Sequence, residues 1–490
     1  MFFLRLYEDA IAQASYLIGC QQSHEAVVVD PSRDIGRYLR AAEDEGYRIT
    51  HVVETHIHAD FLSGSRELAR RANAILLLSA EGGDQWRYAF LDEAKPLRDG
   101  ERFSVGKVRF EVMHTPGHTP EHIALLVTDT ATSDEPMGVL SGDAVFVGDV
   151  GRPDLLVKTR RPGASGTADG ADGHEEMAAA ARQLFATVQR FRALPAHLQL
   201  WPGHGAGSAC GKSLGAVPQS TIGYEVRSSW AFATMNEQRF IELVLEGQPE
   251  PPRYFARMKR LNRDGPPAMG ARPTATPLSP EAFPSLQRGG VLVLDTRRPG
   301  AFATGHLPGS INVPLDRQFV TRVGSVLPDD AMIALLVEGG AARAEQILCE
   351  LALIGVDDVH GVLDATVLDW QAKHAGLSVL AQVAPGEAAT DADATIVDVR
   401  GASEWAEGHV PGALNIPLPE LPDRMAELPE GPLVLHCQGG SRSVIAASLL
   451  LAAGRADVTN MEGGYSAWSR AGLPTTTDAS PTKDTARVTR

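Results

Sequence analysis

The residues best suited to chemistry in this 490-residue chain are imidazoles and carboxylates in short polar turns. His56, His58 and Asp60 lie in Glu54-Thr-His56-Ile-His58-Ala-Asp60-Phe61. His118 lies in Thr115-Pro-Gly-His118-Thr119, Asp143 in Ser141-Gly-Asp143-Ala144, and His204 in Pro202-Gly-His204-Gly205. Such donors bind a divalent transition metal. Phe61, directly after Asp60, offers no donor. The elements that must position these groups are strands: 49–54, 108–113, 137–141 and 198–201 are short apolar, β-branched runs, and each ends just before one of the polar turns. If the strands lie side by side with their ends together, the turns converge on one sheet edge.

Taken with Pro116-Gly-His118-Thr-Pro120, Ser141-Gly-Asp143-Ala144 and Gly148-Asp-Val-Gly151-Arg152-Pro153-Asp154, residues from about 1 to 245 resemble the metallo-β-lactamase fold, specifically its persulfide dioxygenase branch. In the full signature of the fold, H-x-H-x-D-H, the first two histidines serve one metal and the last two residues begin a second site. Phe61 replaces the final histidine, which points to a mononuclear site. The resemblance implies one Fe(II) per chain held by His56, His118 and Asp143. Two imidazoles and a carboxylate leave coordination positions open for substrate and O₂. Zinc accepts the same ligands and is the less expected ion. By the same resemblance His58 and His204 support the ligands or contact substrate, and Asp60 orients a ligand or a metal-bound water. His114 and His122 read as exposed or hydrogen-bonded residues without a direct role.

The length allows about three domains, and 43% apolar residues are ample for packed cores. Four scattered cysteines make no disulfide framework. A net charge of −16 argues against nucleic acid and against an anionic membrane surface. The first residues lack the apolar core of a secretion signal and no segment is long enough to span a bilayer, so the expected location is the cytoplasm. Proline and glycine punctuation divides the chain into 1–263 (the first domain with a helical extension), a proline-rich linker 264–280, a domain 281–380, a linker 381–394, a domain 395–475 and a polar tail 476–490. Residues 160–173 read as a mobile insertion.

Between the linkers the chain repeats at an offset of 103 residues: Leu294-Asp295-Thr-Arg297 returns as Val397-Asp398-Val-Arg400, and Gly305-His306-Leu-Pro308-Gly309-Ser-Ile-Asn312 as Gly408-His409-Val-Pro411-Gly412-Ala-Leu-Asn415. The alternation of strand, loop and helix in each copy predicts a small α/β domain with a mainly parallel sheet. Both copies resemble rhodaneses, the sulfurtransferases. In the second copy a strand delivers Cys437 into Cys437-Gln-Gly-Gly-Ser-Arg442 at a helix start. Inward backbone N–H groups and Arg442 there stabilise a thiolate and a bound anion. The match to the rhodanese loop implies that Cys437 carries a persulfide in turnover. In the first copy Glu338 stands at the cysteine position when Arg343 is aligned with Arg442, so that copy is expected to be catalytically dead. Cys20 and Cys349 read as core, whereas Cys210 is either a persulfide-accepting or redox thiol or a packed one.

The whole therefore reads as an αβ/βα sandwich of the metallo-β-lactamase kind followed by two rhodanese-like α/β domains. The resemblance implies a persulfide dioxygenase fused to a sulfurtransferase. Its expected small-molecule partners are a low-molecular-weight persulfide such as that of glutathione, coenzyme A or another thiol, with O₂, sulfite and thiosulfate. Sulfide detoxification and a homodimer or homotetramer follow from the same resemblance. Two other readings stand beside it: a zinc thioester hydrolase of the glyoxalase II kind, and a sulfur carrier whose metal site is only structural.

Overall fold

The computed structural model describes residues 1–159 and 171–477. Most of the expected insertion at 160–173, and the tail from residue 478, lie outside the described residues. The chain divides into two compact units. One comprises 1–272 with 349–355, the other 273–348 with 356–490.

The first unit is built on two six-stranded sheets. The first runs β1 (Phe2–Glu8), β2 (Gln13–Cys20), β3 (Glu25–Val29), β4 (Arg48–Val53), β5 (Ile75–Ser79), β6 (Lys95–Leu97) in spatial order, antiparallel up to β3 and parallel from there. The second holds β7 (Arg102–Val105), β8 (Val108–His114), β9 (Ile123–Asp129), β10 (Gly138–Gly142), β11 (Gln199–Pro202) and β12 (Ser220–Thr221), with one parallel pair, β10 and β11. Alternation puts Tyr16, Ile18, Val27 and Val29 of one sheet in the same core as Phe110, Val112, Leu125 and Val127 of the other. The intervening residues face outward and are covered by helices. Leu17, Ala26 and Val28 pack with Tyr38 and Leu68 of the helices Gly36–Asp44 and Ser65–Ala72. Ala124, Val139 and Leu200 pack with Leu184 and Val188 of Ala171–Arg192 and Phe240 of Glu237–Leu245. Both faces of each sheet are therefore dry, and the layer order is helix, sheet, sheet, helix.

The second unit contains two five-stranded sheets, all of whose pairings are parallel. One is ordered β13 (Pro277–Leu278), β17 (Val359–Asp364), β16 (Ile333–Val337), β14 (Leu292–Asp295), β15 (Ile311–Asn312). The other is ordered β18 (Ala381–Val383), β22 (Val458–Met461), β21 (Leu433–His436), β19 (Thr395–Asp398), β20 (Leu414–Asn415). Segments read as linkers carry sheet edges: β13 pairs with β17, and β18 pairs with β22 before a short helix, Pro385–Ala388. Strands of two or three residues are too short to show periodicity, and a proline at the first helical position looks like a breaker in sequence although it starts a helix.

Candidate functional sites

At the edge of the first unit the turns after β3, β4, β8, β10 and β11 meet. His56, His118 and Asp143 are all buried, and donor atoms of the three lie within 4.8 Å of one another. His56 Nε2 is 3.8 Å and His118 Nε2 3.6 Å from Asp143 Oδ2. The orientation of His56 is set from behind. The Asp30 carboxylate accepts hydrogen bonds from the Thr55 amide (2.7 Å) and hydroxyl (2.8 Å), and that hydroxyl lies 2.9 Å from His56 Nδ1. With the Thr55 proton committed to Asp30, the hydroxyl accepts from Nδ1–H and leaves the Nε2 lone pair facing inward. Asp143 is held similarly: its amide donates to His122 Nε2 (3.0 Å), whose Nδ1 is 2.7 Å from the Thr115 hydroxyl. Gly142 precedes it at φ +49°, and a Cβ there would come within 2.6 Å of His122 Nε2.

The donors fit a metal. His56 Nε2 and both Asp143 carboxylate oxygens are buried without a hydrogen-bond partner, which is costly unless a cation satisfies them. Burial, with the Asp60 and Asp30 carboxylates, pushes Asp143 up to about 6 against the opposing His204 and His58. Burial and the neighbouring imidazoles drive His118 down to about 3 and hold His56 well below the usual range. The imidazoles are thus neutral and ready to donate to a cation.

His58 has other partners. Its Nε2 is 2.9 Å from Glu54 Oε2 and 3.3 Å from Asp30 Oδ1. Burial disfavours its charge, but the two carboxylates outweigh that and hold it well above the usual range. Its ring lies against Phe61, with centroids 4.4 Å apart. Asn262 fixes this turn by donating to the carbonyls of His58 (2.8 Å) and Phe61 (2.7 Å) and accepting from Ser63 N (2.9 Å). A second group, Asp60, His204 and Cys210, adjoins the first. His204 Nε2 is 3.2 Å from Asp60 and 3.5 Å from Asp143, while its Nδ1 faces the Ala12 carbonyl at 3.1 Å. Cys210 is buried, and burial with the Asp60 and Asp143 carboxylates pushes its thiol well up. Of the two alternatives for His114 and His122 the hydrogen-bonded one holds: His122 is buried between Thr115 and Asp143 N, and His114 bonds the Pro120 carbonyl. Asp30 and Glu54 were missed in the sequence, although both end apolar strands like the other candidates.

In the second unit Cys437 follows β21 and is buried. Gly440 N donates to its Sγ (3.1 Å), Ser443 Oγ lies 3.6 Å away, and the helix Ser441–Ala452 starts immediately beyond. Such a cradle suits an anionic sulfur. Arg442 is engaged by Glu404 at 2.6 and 2.7 Å. In the first copy Glu338 and Arg343 are both exposed, and Arg343 bonds Gln346 (2.9 Å). Cys20 and Cys349 are buried.

Among the described residues no helix is long and apolar enough to cross a membrane. The family model for the metallo-beta-lactamase superfamily matches residues 9–204, and that for the rhodanese-like domain matches 280–373 and 386–471. A crystal structure of a metallo-beta-lactamase from Staphylococcus aureus subsp. aureus COL is 40% identical, covers 74% of this chain and 98% of its own, and superposes with a TM-score of 0.65. The mitochondrial persulfide dioxygenase ETHE1 of Homo sapiens is 29% identical over 155 residues, which is 31% of this chain and 55% of that protein. A sulfurtransferase of Allochromatium vinosum is 41% identical over 83 residues, 17% of this chain and 78% of that one. Hydroxyacylglutathione hydrolases match at 28–29%, and the chain spans 60–63% of their length. The chain belongs to the metallo-beta-lactamase superfamily and carries two rhodanese-like domains after the metallo-beta-lactamase domain.

Proposed function

We propose that this protein is a persulfide dioxygenase fused to a sulfurtransferase, with His56, His118 and Asp143 holding one Fe(II) and Cys437 carrying sulfane sulfur. The observation that carries the first half is the gathering of donor atoms of two imidazoles and one carboxylate within 4.8 Å of one another, with His56 Nε2 and both Asp143 oxygens buried and without a hydrogen-bond partner, while His58 faces the Glu54 and Asp30 carboxylates instead. An Fe(II) ion held there supplies open positions for O₂ and for a persulfide sulfur, and the electrons that start O₂ reduction. Taking sulfane sulfur to sulfite is a four-electron oxidation, which one O₂ balances, with water supplying the third oxygen and the thiol leaving as the S–S bond breaks. Thr55 and Asp30 keep the His56 proton on Nδ1, and His122 holds Asp143 in place. All three side chains are buried, which shields the donor atoms from bulk water.

Cys437 supplies the second half. Its thiolate, cradled by Gly440 N, takes sulfane sulfur from a persulfide, and sulfite then attacks the outer sulfur of Cys437–S–SH. Thiosulfate leaves and the thiolate returns. Tethering both chemistries on one chain raises the effective concentration of sulfite at the loop. Sulfide detoxification in the cytoplasm, by a homodimer or homotetramer using a glutathione, coenzyme A or similar persulfide, completes this reading.

A second reading, zinc-dependent thioester hydrolysis, is favoured by one observation: donor atoms of Asp60, His204 and Cys210 gather beside Asp143, where a second ion would sit in a two-metal hydrolase. Metal analysis of anaerobically purified protein separates the two. The expected result is about one iron per chain, with O₂ uptake on glutathione persulfide. His118→Ala and Asp143→Ala lose metal and O₂ uptake together, whereas His58→Ala keeps the metal. Two tightly bound zinc ions with thioesterase activity and no O₂ uptake would falsify the dioxygenase.

A further inference from the structure

Glu404 stands in the helix Ala402–Glu407, and its carboxylate grips the Arg442 guanidinium with both oxygens while accepting from Gly401 N (3.3 Å). The Arg442 hydrogen bonds and charge outweigh the effect of burial and hold this carboxyl below its usual range. The neighbouring Arg400 is already paired: it is buried and spends its guanidinium on Asp398, the Gly408 carbonyl and Gln438. Burial holds the pKa of His436, 3.6 Å from Asp398, below its usual range, so that ring adds no charge to the loop. Arg442 is different: its side chain keeps 28% of its surface and Glu404 keeps 35%. An anion approaching the loop therefore meets an arginine whose charge is offset by a carboxylate.

The first copy makes Glu404 dispensable for folding. At the repeat offset its counterpart is Ala301, and that copy nevertheless forms the same sheet and the same Asp–Arg pair. The carboxylate is absent from the copy that lacks the cysteine and present in the copy that has it. Its role thus belongs to the loop's chemistry.

We propose that Glu404 is a positioning and specificity residue that weakens the hold of the Cys437 loop on free dianions, so that the loop takes sulfur from a persulfide and releases thiosulfate rather than taking thiosulfate up. In transfer to sulfite the S–S bond of the Cys437 persulfide breaks, its electron pair stays on the Cys437 sulfur, and the new S–S bond is in the departing dianion. A loop with an unopposed arginine would retain that product.

This proposal rests on the sulfurtransferase reading, and the experiment separates the two. In the full chain, iodoacetamide alkylation of the Cys437 peptide is followed by mass spectrometry with increasing sulfate, a dianion without sulfane sulfur. The KM values for thiosulfate and glutathione persulfide are measured in parallel. In Glu404→Gln, sulfate protects at about five- to tenfold lower concentration and the KM for thiosulfate falls by a similar factor, while the KM for the persulfide changes less than about twofold. Glu404→Asp, which keeps the charge, stays near the parent chain. Equal changes for both donors, or unaltered sulfate protection with intact transfer, overturn the proposal and leave the sulfurtransferase standing. A parent chain that transfers no sulfur but shows the protection shift overturns the sulfurtransferase and keeps the charge role of Glu404.

Discussion

The two rhodanese-like copies share a frame bond for bond. Arg297 and Arg400 each pair with the aspartate two residues earlier and donate to a glycine carbonyl, Gly305 at 2.9 Å and Gly408 at 2.8 Å. Asn312 and Asn415 each bridge the carbonyls of those aspartate and arginine residues at 2.9–3.0 Å. His306 stacks on Phe302, and His409 on Trp405, at 3.8 and 3.6 Å between ring centroids. The copies diverge where sulfur would sit. Glu338, Ala341, Ala344 and Ala301 of the first occupy the places of Cys437, Gly440, Ser443 and Glu404 of the second. The most recognisable repeat residues thus build the domain, and a few others decide whether it reacts.

The largest expected effect tests that division. Cys437→Ser lowers thiosulfate:cyanide sulfur transfer by at least about a thousandfold, with bound metal per chain unchanged; a first copy that sustains transfer in this variant would break the comparison. Next, Arg400→Ala and Arg297→Ala each leave a buried aspartate unpaired and destabilise their own copy by about 3 kcal/mol, read as earlier loss of tertiary signal on heating. A silent Arg297→Ala would mean that the first copy does not depend on the frame it shares. The smallest effects sharpen the reactive side. Glu338→Ala leaves transfer within about twofold of the parent, since no nucleophile is lost. Glu338→Cys assayed with Cys437→Ser recovers less than about 1% of the parent rate, because the position is exposed and Ala344 offers no hydroxyl.

The frame and the candidate metal donors were legible in sequence because each lies at a local signal: an apolar run that stops at a polar turn, or a repeat at constant offset. His56, His118 and Asp143 share such turns, and the structure brings them together. Their supports were less visible. Thr55 and His122 act through a single hydrogen bond each, and Asn262 reaches a turn about 200 residues away, so no spacing announces them. Asp30 was legible in principle: it ends the apolar strand Glu25–Val29 as Asp143 ends its own. The pairing of Glu404 with Arg442 joins two separate helices across 38 residues of sequence, and a lone Glu on a helix reads as a solvated surface residue until the fold is known.

The loop around Cys437 is tied down on its far side. The Cys437 carbonyl accepts from Tyr465 N (2.8 Å) and the Gln438 carbonyl from Ser466 N (3.0 Å). Gly464, at φ +57°, allows the approach because a Cβ there would lie 2.2 Å from the Cys437 oxygen. A cysteine so moored has no reach. Unlike a carrier on a swinging arm, it is a fixed berth, so under the proposed sulfurtransferase reading donor and acceptor must come to it. The throughput of such a berth should then follow solvent viscosity and the supply of sulfur donors and acceptors more closely than any swing of the loop.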